Sequence, residues 1–368
     1  MPARRHCLAD CNDQQREALL EEAVGVLARG EACVLPTETV YGFAMRTDVP
    51  AAVTRVRELK GRAEDHGFTW HLANAADAAR YARIDDPRLE RLFARYCPGP
   101  LTVIAPSAED PAQTVGLRVP AHDFTRQVID RVGQALWLTS VNKTGDAPLV
   151  DPSQIQDRFG DELALLIDDG PSPVGMASTI VRCTGPELEI LREGILSRAD
   201  ILSAAATNIL FLCTGNTCRS PLAEVLAQHR LADRLGIDPQ TLPAHGLLFQ
   251  SSGIAAANGA PASEGSLMCA AELGLDLSRH QSRPLTARLL EQADHIYCLS
   301  NSHRLALLDL TPEVAEKTEL LSTDGHDIAD PYGQSLEVYR EAREQIAAAI
   351  DARLDDWANL LPQTPRQA

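Results

Sequence analysis

Aromatic residues are scarce in this chain, and basic residues are outnumbered. Only 4% of the 368 residues are Phe, Trp or Tyr, and 34 Lys plus Arg stand against 51 Asp plus Glu, a formal net charge of −17. Both halves are acidic, with 22 basic and 30 acidic residues up to residue 200 and 12 and 21 after it. This balance excludes charge-driven, non-specific binding to nucleic acid or to an anionic membrane, although a local basic pocket stays open.

The sequence also lacks long hydrophobic runs and paired cysteine motifs. No stretch approaches the ~18 apolar residues that mark a membrane-spanning helix, and residues 1–15 are polar, unlike a secretory signal. The nine cysteines are an odd number without a C-x-x-C motif, and Cys7 and Cys11 have no second pair, so we expect no structural zinc site. We therefore expect free thiols, a reducing cytoplasm and no membrane partner.

A length of 368 residues with 45% apolar content predicts two globular domains. Short strands alternate irregularly with helices up to residue 196, which predicts a mixed α/β first domain. The Ala- and Ser-rich stretch 197–208 is interpreted as the linker. Regular alternation of buried strands and helices then predicts a doubly wound parallel sheet in the second domain. These later elements are strands at 208–213 and 293–300, a helix at 221–236 and one long closing helix at 336–358.

One segment of the second half, CTGNTCRSP, follows a buried strand and precedes a helix. Its Gly215 and Asn216 tolerate left-handed backbone, and a Pro stands in the first helical turn. Such a strand–loop–helix junction directs backbone N–H groups and the positive helix end at one point, which favours an anion and a thiolate. Cys213 is therefore a candidate nucleophile, and Arg219 a candidate fork for phosphoryl oxygens.

The spacing Cys-x5-Arg alone is not specific. Cys298 and Arg304 show the same spacing after another strand-like run. Their loop has no Gly and opens no obvious helix, so we predict that the first pair is functional. From the residues alone, a buried cysteine and a surface arginine remain the alternative.

The second half resembles the low-molecular-weight protein tyrosine phosphatase family over residues 207–361. The loop, the Ser-Ser-Gly run at 251–253, His-Gln-Ser-Arg at 280–283 and Asp330-Pro331-Tyr332 carry the resemblance. It implies a phosphoprotein substrate, a phosphocysteine on Cys213, Arg219 as oxyanion clamp, Asp330 as general acid and no cofactor or metal. It also implies that the phosphate loop and its supporting residues are Thr214, Gly215, Asn216, Thr217, Cys218, Ser220, Ser252 and His280.

The residue that follows the loop Asn bears on the choice of substrate. Members that act on phosphotyrosine usually have Ile after the loop Asn, whereas this chain has Thr217, and its loop is more similar to the protein-arginine phosphatase branch. Arsenate reductases of this fold are disfavoured, because Pro221 stands where they have Gln, and only Cys298 follows Cys269. Phosphoarginine and phosphotyrosine both stay open, since Thr can also be a near-isosteric replacement.

The first half has no P-loop and no G-x-G-x-x-G motif, so any nucleotide must be held in another way. Lys60 and Arg62 lie one residue apart and, with later Ser, Asn and Arg residues, can clamp a polyphosphate. From the residues alone, these cations can equally cap the end of a helix.

The first half resembles the threonylcarbamoyl-adenylate synthase family, with a YrdC-like fold, over residues 14–200. The carrying segments are EACVLPTETVYG, Lys60-Gly61-Arg62, CPGPLTVIAP, VGLRVP, TSVNKTG, ASTIV and LREG. The resemblance implies synthesis of threonylcarbamoyl-AMP from threonine, bicarbonate and ATP with Mg²⁺, for tRNA modification together with tRNA-modification proteins. It implies threonine contacts from Thr39, His71, Arg118 and Ser178, and ATP contacts from Lys60, Arg62, Ser140, Asn142 and Arg192.

The sequence therefore predicts a bifunctional enzyme, a synthase followed by a cysteine phosphatase. A second reading stays open, in which only the phosphatase is active and the YrdC-like module binds RNA or nucleotide without catalysis. Release of diphosphate that depends on ATP and threonine distinguishes the two.

Overall fold

The computed structural model describes residues 4–61 and 67–362. Contacts between Cα atoms divide the chain into two compact units, Met1–Ile201 and Leu202–Ala368. Each unit has its own sheet and its own hydrophobic core. The two units are therefore described separately.

Within residues 4–61 and 67–205, the first part of the chain forms ten strands and six α-helices. They are β1 (Arg4–Cys7), α1 (Asp13–Ala28), β2 (Cys33–Leu35), β3 (Gly42–Arg46), α2 (Pro50–Lys60), β4 (Thr69–His71), α3 (Pro87–Tyr96), β5 (Leu101–Pro106), β6 (Thr114–Arg118), α4 (Asp123–Val132), β7 (Leu136–Ser140), α5 (Pro152–Phe159), β8 (Leu165–Asp168), β9 (Thr179–Arg182), β10 (Glu189–Arg192) and α6 (Arg198–Ala205). The strands form one sheet in the order β1-β8-β2-β3-β7-β4-β6-β5-β9-β10. Parallel and antiparallel pairs alternate irregularly in it, which confirms the predicted mixed architecture.

Both faces of this sheet are covered, as strand β2 illustrates. Cys33 and Leu35 pack into a core with helices α1 and α4, whereas Val34 packs into a second core with α2 and α5. Alternate side chains of a strand point to opposite faces, so a strand covered on both sides is apolar throughout. The buried run in EACVLP therefore marks the centre of the sheet.

The stretch that the sequence assigns to a linker is not irregular. Residues 198–205 form helix α6, and β11 begins two residues later, at Thr207. Ala is the strongest helix former, so three consecutive Ala residues favour a helix rather than an open connection.

Four strands and seven α-helices follow in the second unit, as far as it is described, up to residue 362. They are β11 (Thr207–Cys213), α7 (Arg219–Leu235), α8 (Leu242–His245), β12 (Leu247–Gly253), α9 (Glu264–Ala271), α10 (Ala287–Gln292), β13 (His295–Cys298), α11 (Asn301–Leu310), β14 (Thr318–Leu320), α12 (Leu336–Asp351) and α13 (Leu354–Asn359). The strand order is β12-β11-β13-β14, and every pair is parallel, which confirms the predicted doubly wound sheet.

The order of these strands determines where a ligand fits. The chain moves from β11 to one neighbour, β12, and later returns to its other side as β13. In open α/β sheets, ligands bind at the carboxyl ends of the strands where the order reverses. Cys213 is the last residue of β11 and so lies at this point.

The prediction of a single closing helix was wrong. The segment forms α12 and α13, separated at Ala352 and Arg353. The guanidinium of Arg353 is buried there, donates to the carbonyls of Leu320 and Leu321 and lies 4.2 Å from the ring centroid of Tyr297. The tertiary contacts of this arginine thus accompany a break in a segment whose sequence pattern predicts one continuous helix.

All nine cysteines are unpaired. Along residues 4–61 and 67–362, no helix combines the length and apolar character that a bilayer-crossing segment needs.

Candidate functional sites

The loop between β11 and α7 folds around the sulfur of Cys213. Asn216 adopts left-handed backbone with φ 53°, and this turns its N–H toward Cys213 Sγ at 3.3 Å. The hydroxyl of Ser220, in the first turn of α7, lies 3.0 Å from the same sulfur. Hydrogen-bond donors and a positive helix end thus converge near this sulfur, an arrangement suited to an anionic ligand.

Four contacts hold Asn216 in its unusual conformation. Its side-chain amide donates to Ser220 Oγ and Ser251 Oγ, each at 2.9 Å, and its Oδ1 accepts from the backbone N–H of Arg283 at 2.9 Å. His280 Nε2 lies 2.7 Å from the carbonyl oxygen of Asn216. A strained residue persists only where its surroundings over-determine it, so the loop is rigid before any ligand binds.

Two adjacent serines contact residues of the loop, Ser252 and its neighbour Ser251, which the sequence did not indicate. Ser252 directs its hydroxyl to the carbonyl of Arg283 at 3.1 Å and offers its own carbonyl to Ser220 at 3.4 Å. Its neighbour Ser251 contacts the loop and donates to Glu224 Oε2 at 2.5 Å. Burial raises the pKa of the Glu224 carboxyl. Glu224 lies four residues after Ser220, and this helical spacing was the signal that could have indicated it.

The Gly of the Ser-Ser-Gly run is required by a close approach. A Cβ atom at Gly253 would lie 2.6 Å from the carbonyl oxygen of Thr214 and 2.9 Å from the backbone nitrogen of Asn216. Any side chain would therefore displace the loop that surrounds Cys213.

Arg219 links this loop to the segment that carries Asp330. Its Nη2 donates to Asp330 Oδ2 at 2.7 Å, and its Nη1 donates to the carbonyl of Ile328 at 3.2 Å. Arg219 is buried, and its Nε–H has no hydrogen-bond partner among the described residues. An unsatisfied, charged donor on the arginine that follows this loop is suited to a phosphoryl oxygen.

The two threonines of the loop contact different residues. Thr214 Oγ1 lies 2.9 Å from Nε2 of His303. Thr217 Oγ1 lies 3.6 Å from the sulfur of Cys218, which in turn lies 3.6 Å from the hydroxyl of Tyr339. Neither His303 nor Tyr339 was found from the sequence, since both approach from distant elements.

The second Cys-x5-Arg pair has a different environment. Helix α11 begins at Asn301 and is capped by Ser300, so the expectation that no helix opens there was wrong. Only two residues separate the helix from Cys298, which leaves no loop to surround an anion. Burial raises the pKa of Cys298 to about 12, which keeps this thiol protonated at neutral pH.

The first unit contains a pocket of about 230 Å³ between the ends of its central strands. Five predicted site residues line it: His71, Arg118, Ser140, Ser178 and Arg192. Other lining residues, such as Phe68 and Ile180, give one wall an apolar character. Three of the four residues predicted to contact threonine and two of the five predicted to contact ATP therefore line one cavity, whereas Thr39 and Asn142 lie outside its lining.

Arg118 is a buried cation in the lining of this pocket. Its Nη2 donates to Glu38 Oε1 at 2.8 Å and to Thr39 Oγ1 at 2.6 Å, whereas its buried Nε–H has no partner among the described residues. Burial lowers the pKa of Arg192, and the charge of Arg118 adds to this effect. Two cations near one carboxylate favour an anionic ligand.

Lys60 lies outside the pocket lining but joins two of the motifs. Its buried Nζ donates to the carbonyl of Ser140 at 2.5 Å and to Oδ1 of Asn142 at 3.1 Å. The hydroxyl of Ser140 also donates to that Oδ1, at 2.5 Å. Lys60 thus reaches the Ser-Val-Asn segment. Arg62 lies outside the described residues.

We expect the first unit to lose stability in acid because of His71. Burial lowers its pKa to about 3, and the charge of Arg118 contributes. The unfolded chain, with a His pKa of about 6.5, then binds more protons than the folded one, so stability is full above that pH and falls below it by about 1.4 kcal/mol per pH unit.

Urea unfolding between pH 7 and pH 5 checks this prediction. In a Trp357→Phe background both remaining tryptophans, Trp70 and Trp137, report on the first unit. His71→Asn should flatten the pH dependence, and parallel curves for the two proteins would contradict it.

Comparison with known proteins gives two matches along the chain. A family model described as telomere recombination, of the Sua5/YciO/YrdC type, matches residues 25–194. The model for low molecular weight phosphotyrosine protein phosphatase matches residues 208–363.

Relatives cover the same two regions. A putative threonylcarbamoyl-AMP synthase of Mycobacterium tuberculosis H37Rv is 32% identical over 216 residues, which covers 54% of this chain and 97% of the relative. A protein-arginine-phosphatase of Geobacillus stearothermophilus is 37% identical over 148 residues, which covers 39% of this chain and 90% of the relative. A solved Sua5 structure from Pyrococcus abyssi gives a TM-score of 0.51 at 21% identity over 68% of this chain and 91% of its own, and so indicates the fold.

Proposed function

Because this chain belongs to the Sua5/YciO/YrdC family over residues 25–194 and to the low-molecular-weight phosphatase family over residues 208–363, we propose residue roles for two reactions. Both families are enzymes, and the chain is bifunctional. The first reaction is synthesis of threonylcarbamoyl-AMP, and the second is hydrolysis of a phosphoprotein through a phosphocysteine.

In the phosphatase reaction, the Cys213 thiolate attacks phosphorus while the bond from phosphorus to the leaving group breaks. Asp330 donates a proton to the departing atom, and the guanidinium of Arg219 holds two equatorial oxygens. The observation that carries this assignment is the 2.7 Å contact that brings Asp330 to Arg219, the arginine at the end of the loop that surrounds the Cys213 sulfur. Backbone N–H groups and Arg219 supply the positive field without a metal ion.

A water molecule then attacks the phosphocysteine. The Asp330 carboxylate formed in the first step accepts a proton from this water, the S–P bond breaks, and inorganic phosphate leaves. Cys213 returns as the thiolate and Asp330 as the acid, so the cycle balances. Asp330 is half-exposed, which supports access for both leaving group and water.

We propose phosphoarginine as the preferred substrate, since Thr217 offers a hydroxyl where an Ile would offer only apolar contact. Each buried CH₂ contributes about 0.8 kcal/mol to binding a phenyl ring. An unpaired hydroxyl against that ring costs about 1–3 kcal/mol, whereas a guanidinium can pair with it.

Thr217→Ile should raise kcat/KM for phosphotyrosine peptides and lower it for phosphoarginine peptides, each by about one decade. Peptides of one sequence that differ only in the phosphorylated residue provide the comparison. An improvement with both substrates alike would mean that Thr217 only fills space.

For the synthase we propose that the carboxylate or carbamate of threonine pairs with Arg118 and that ATP phosphates lie near Arg192 and Ser140. Threonine and bicarbonate form the carbamate with loss of water. A carbamate oxygen then attacks the α-phosphorus of ATP, the bond from this phosphorus to the bridging oxygen of the β-phosphate breaks, and diphosphate leaves. The buried Nε–H of Arg118 supports this placement, because it has no hydrogen-bond acceptor among the described residues. Neutral His71 adds no further charge near the substrate amine.

We propose that Mg²⁺ enters as its ATP complex. Along the described chain, His, Cys, Asp and Glu form no group of three or more that could hold a metal ion. Phosphate oxygens of ATP are hard ligands that bind Mg²⁺ together with water. Tenfold variation of Mg²⁺ at fixed ATP should therefore change diphosphate release through the concentration of this complex.

Arg118→Gln should raise the KM for threonine by about 10- to 100-fold, since a hydrogen bond to a charged group contributes about 1.5–3 kcal/mol. Diphosphate release by the full chain is the measurement, and Arg126→Gln, at a partly buried arginine outside the lining of this pocket, is the matched control. An unchanged KM would remove Arg118 from the threonine site. No release from the wild-type chain with threonine, bicarbonate and ATP would favour the binding-only module.

A further inference from the structure

Thr214 is held by a chain of polar contacts that the proposed reaction does not use. Its hydroxyl lies 2.9 Å from His303 Nε2, and His303 Nδ1 lies 2.9 Å from Ser300 Oγ. His303 is buried, whereas Thr214 is exposed at the mouth of the loop. A buried imidazole therefore fixes a hydroxyl that a substrate can reach.

The capping role of Ser300 indicates where the imidazole proton lies. Ser300 Oγ accepts from the backbone N–H of His303 at the start of α11. The same oxygen lies 2.8 Å from Ser302 Oγ, which can accept the hydrogen of the Ser300 hydroxyl. Because Ser300 Oγ can then accept from the ring of His303, we place the imidazole proton on Nδ1, and Nε2 accepts from the Thr214 hydroxyl. Burial lowers the pKa of His303 to about 4, and the charge of Arg219 contributes, so the ring is neutral at pH 7.

Thr214 also lies next to the proposed nucleophile. It directly follows Cys213 in the loop, and its side chain is exposed, so a bound substrate can reach its hydroxyl. Thr217, three residues further along the loop, contacts the sulfur of Cys218 instead of His303. The loop therefore carries two threonine hydroxyls, and His303 contacts only the first.

We propose that His303 is a positioning residue that orients the Thr214 hydroxyl as a hydrogen-bond acceptor toward the leaving group. With its hydrogen directed to Nε2, the Thr214 oxygen presents only lone pairs to the mouth of the loop. A guanidinium leaving group supplies N–H donors to these lone pairs, and a phenyl ring supplies none. The pair His303 and Thr214 thus favours phosphoarginine, an inference that rests on the proposed phosphatase function.

The experiment compares kcat/KM for matched phosphoarginine and phosphotyrosine peptides in the full chain, with para-nitrophenyl phosphate as a third substrate. Thr214→Val removes the hydroxyl, and His303→Leu removes its acceptor. Each should lower the ratio of phosphoarginine to phosphotyrosine kcat/KM by about tenfold. Thr214→Ser and His303→Gln keep the hydroxyl and an acceptor and should keep the ratio within about threefold. His229→Leu on α7, which makes none of these contacts, is the control.

A double-mutant cycle makes the result decisive. Because both changes break one hydrogen bond, Thr214→Val with His303→Leu should lower the ratio no further than either alone. Equal losses with both peptides, an unchanged ratio or additive losses would overturn the inference and leave the phosphatase assignment intact. A folded wild-type chain that is inactive on all three substrates would overturn the assignment, and the inference with it.

Discussion

Cys213→Ser is expected to reduce phosphate release by the second unit to the uncatalysed background. The hydroxyl of serine is a far weaker nucleophile than a thiolate at neutral pH, and the loop polarises a sulfur without supplying a general base. The substitution removes no packing contact of significant size, so the unit should stay folded. The measurement is phosphate release from a phosphopeptide, together with circular dichroism of the variant.

Cys298→Ser provides the matched control, because it has the same sequence spacing to an arginine. Its sulfur is buried and its pKa is raised to about 12, so it should not contribute to turnover. A buried hydroxyl in its place should lower the free energy of unfolding by about 1–3 kcal/mol and leave activity near wild type. Loss of turnover only in Cys298→Ser would refute the assignment of Cys213. Rapid quenching with labelled substrate should place the label on a peptide that spans residues 208–230.

Asp330→Asn is expected to slow turnover by about 10²- to 10⁴-fold, the usual contribution of a positioned general acid. An amide at this position cannot protonate the leaving group or accept a proton from water. The loss should shrink with activated aryl phosphates, whose leaving groups need little protonation. A loss that is equal for good and poor leaving groups would instead indicate that Asp330 only orients Arg219.

The same variant separates the role of the acid from that of the ion pair. Asp330 and Arg219 lie 2.7 Å apart, so removal of the carboxylate also releases the guanidinium. If the pair only positions Arg219, Asp330→Asn should weaken binding of inorganic phosphate. If Asp330 is the acid, phosphate should bind at least as well, because a negative charge has left the site. Inhibition by phosphate therefore distinguishes the two roles.

The sequence alone determined the features that depend on neighbours along the chain. An apolar run followed by a Gly- and Asn-containing loop and a Pro in the next turn predicted β11, the loop and α7, and they form as predicted. The spacing from Cys213 to Arg219 is local and follows from the length of that loop. The mixed sheet of the first unit and the parallel sheet of the second were likewise predictable from hydrophobic patterns, because the spacing of apolar residues differs between strands and helices.

The tertiary structure decided which side chains meet across the sheet. Thr214 and His303 are 89 residues apart and Arg219 and Asp330 are 111 apart, so strand order and register bring them together. Side-chain alternation in β12 directs the hydroxyl of Ser251 to Asn216 and that of Ser252 to the carbonyl of Arg283, and a shift of one residue would reverse these directions. Burial, which lowers the pKa of His303 and raises that of Cys298, exists only in the folded chain. The hydrophobic pattern of the sequence specifies the helices and strands. Only packing in the folded chain fixes the distances between side chains and the local dielectric constant, and the chemistry of a site depends on these two quantities.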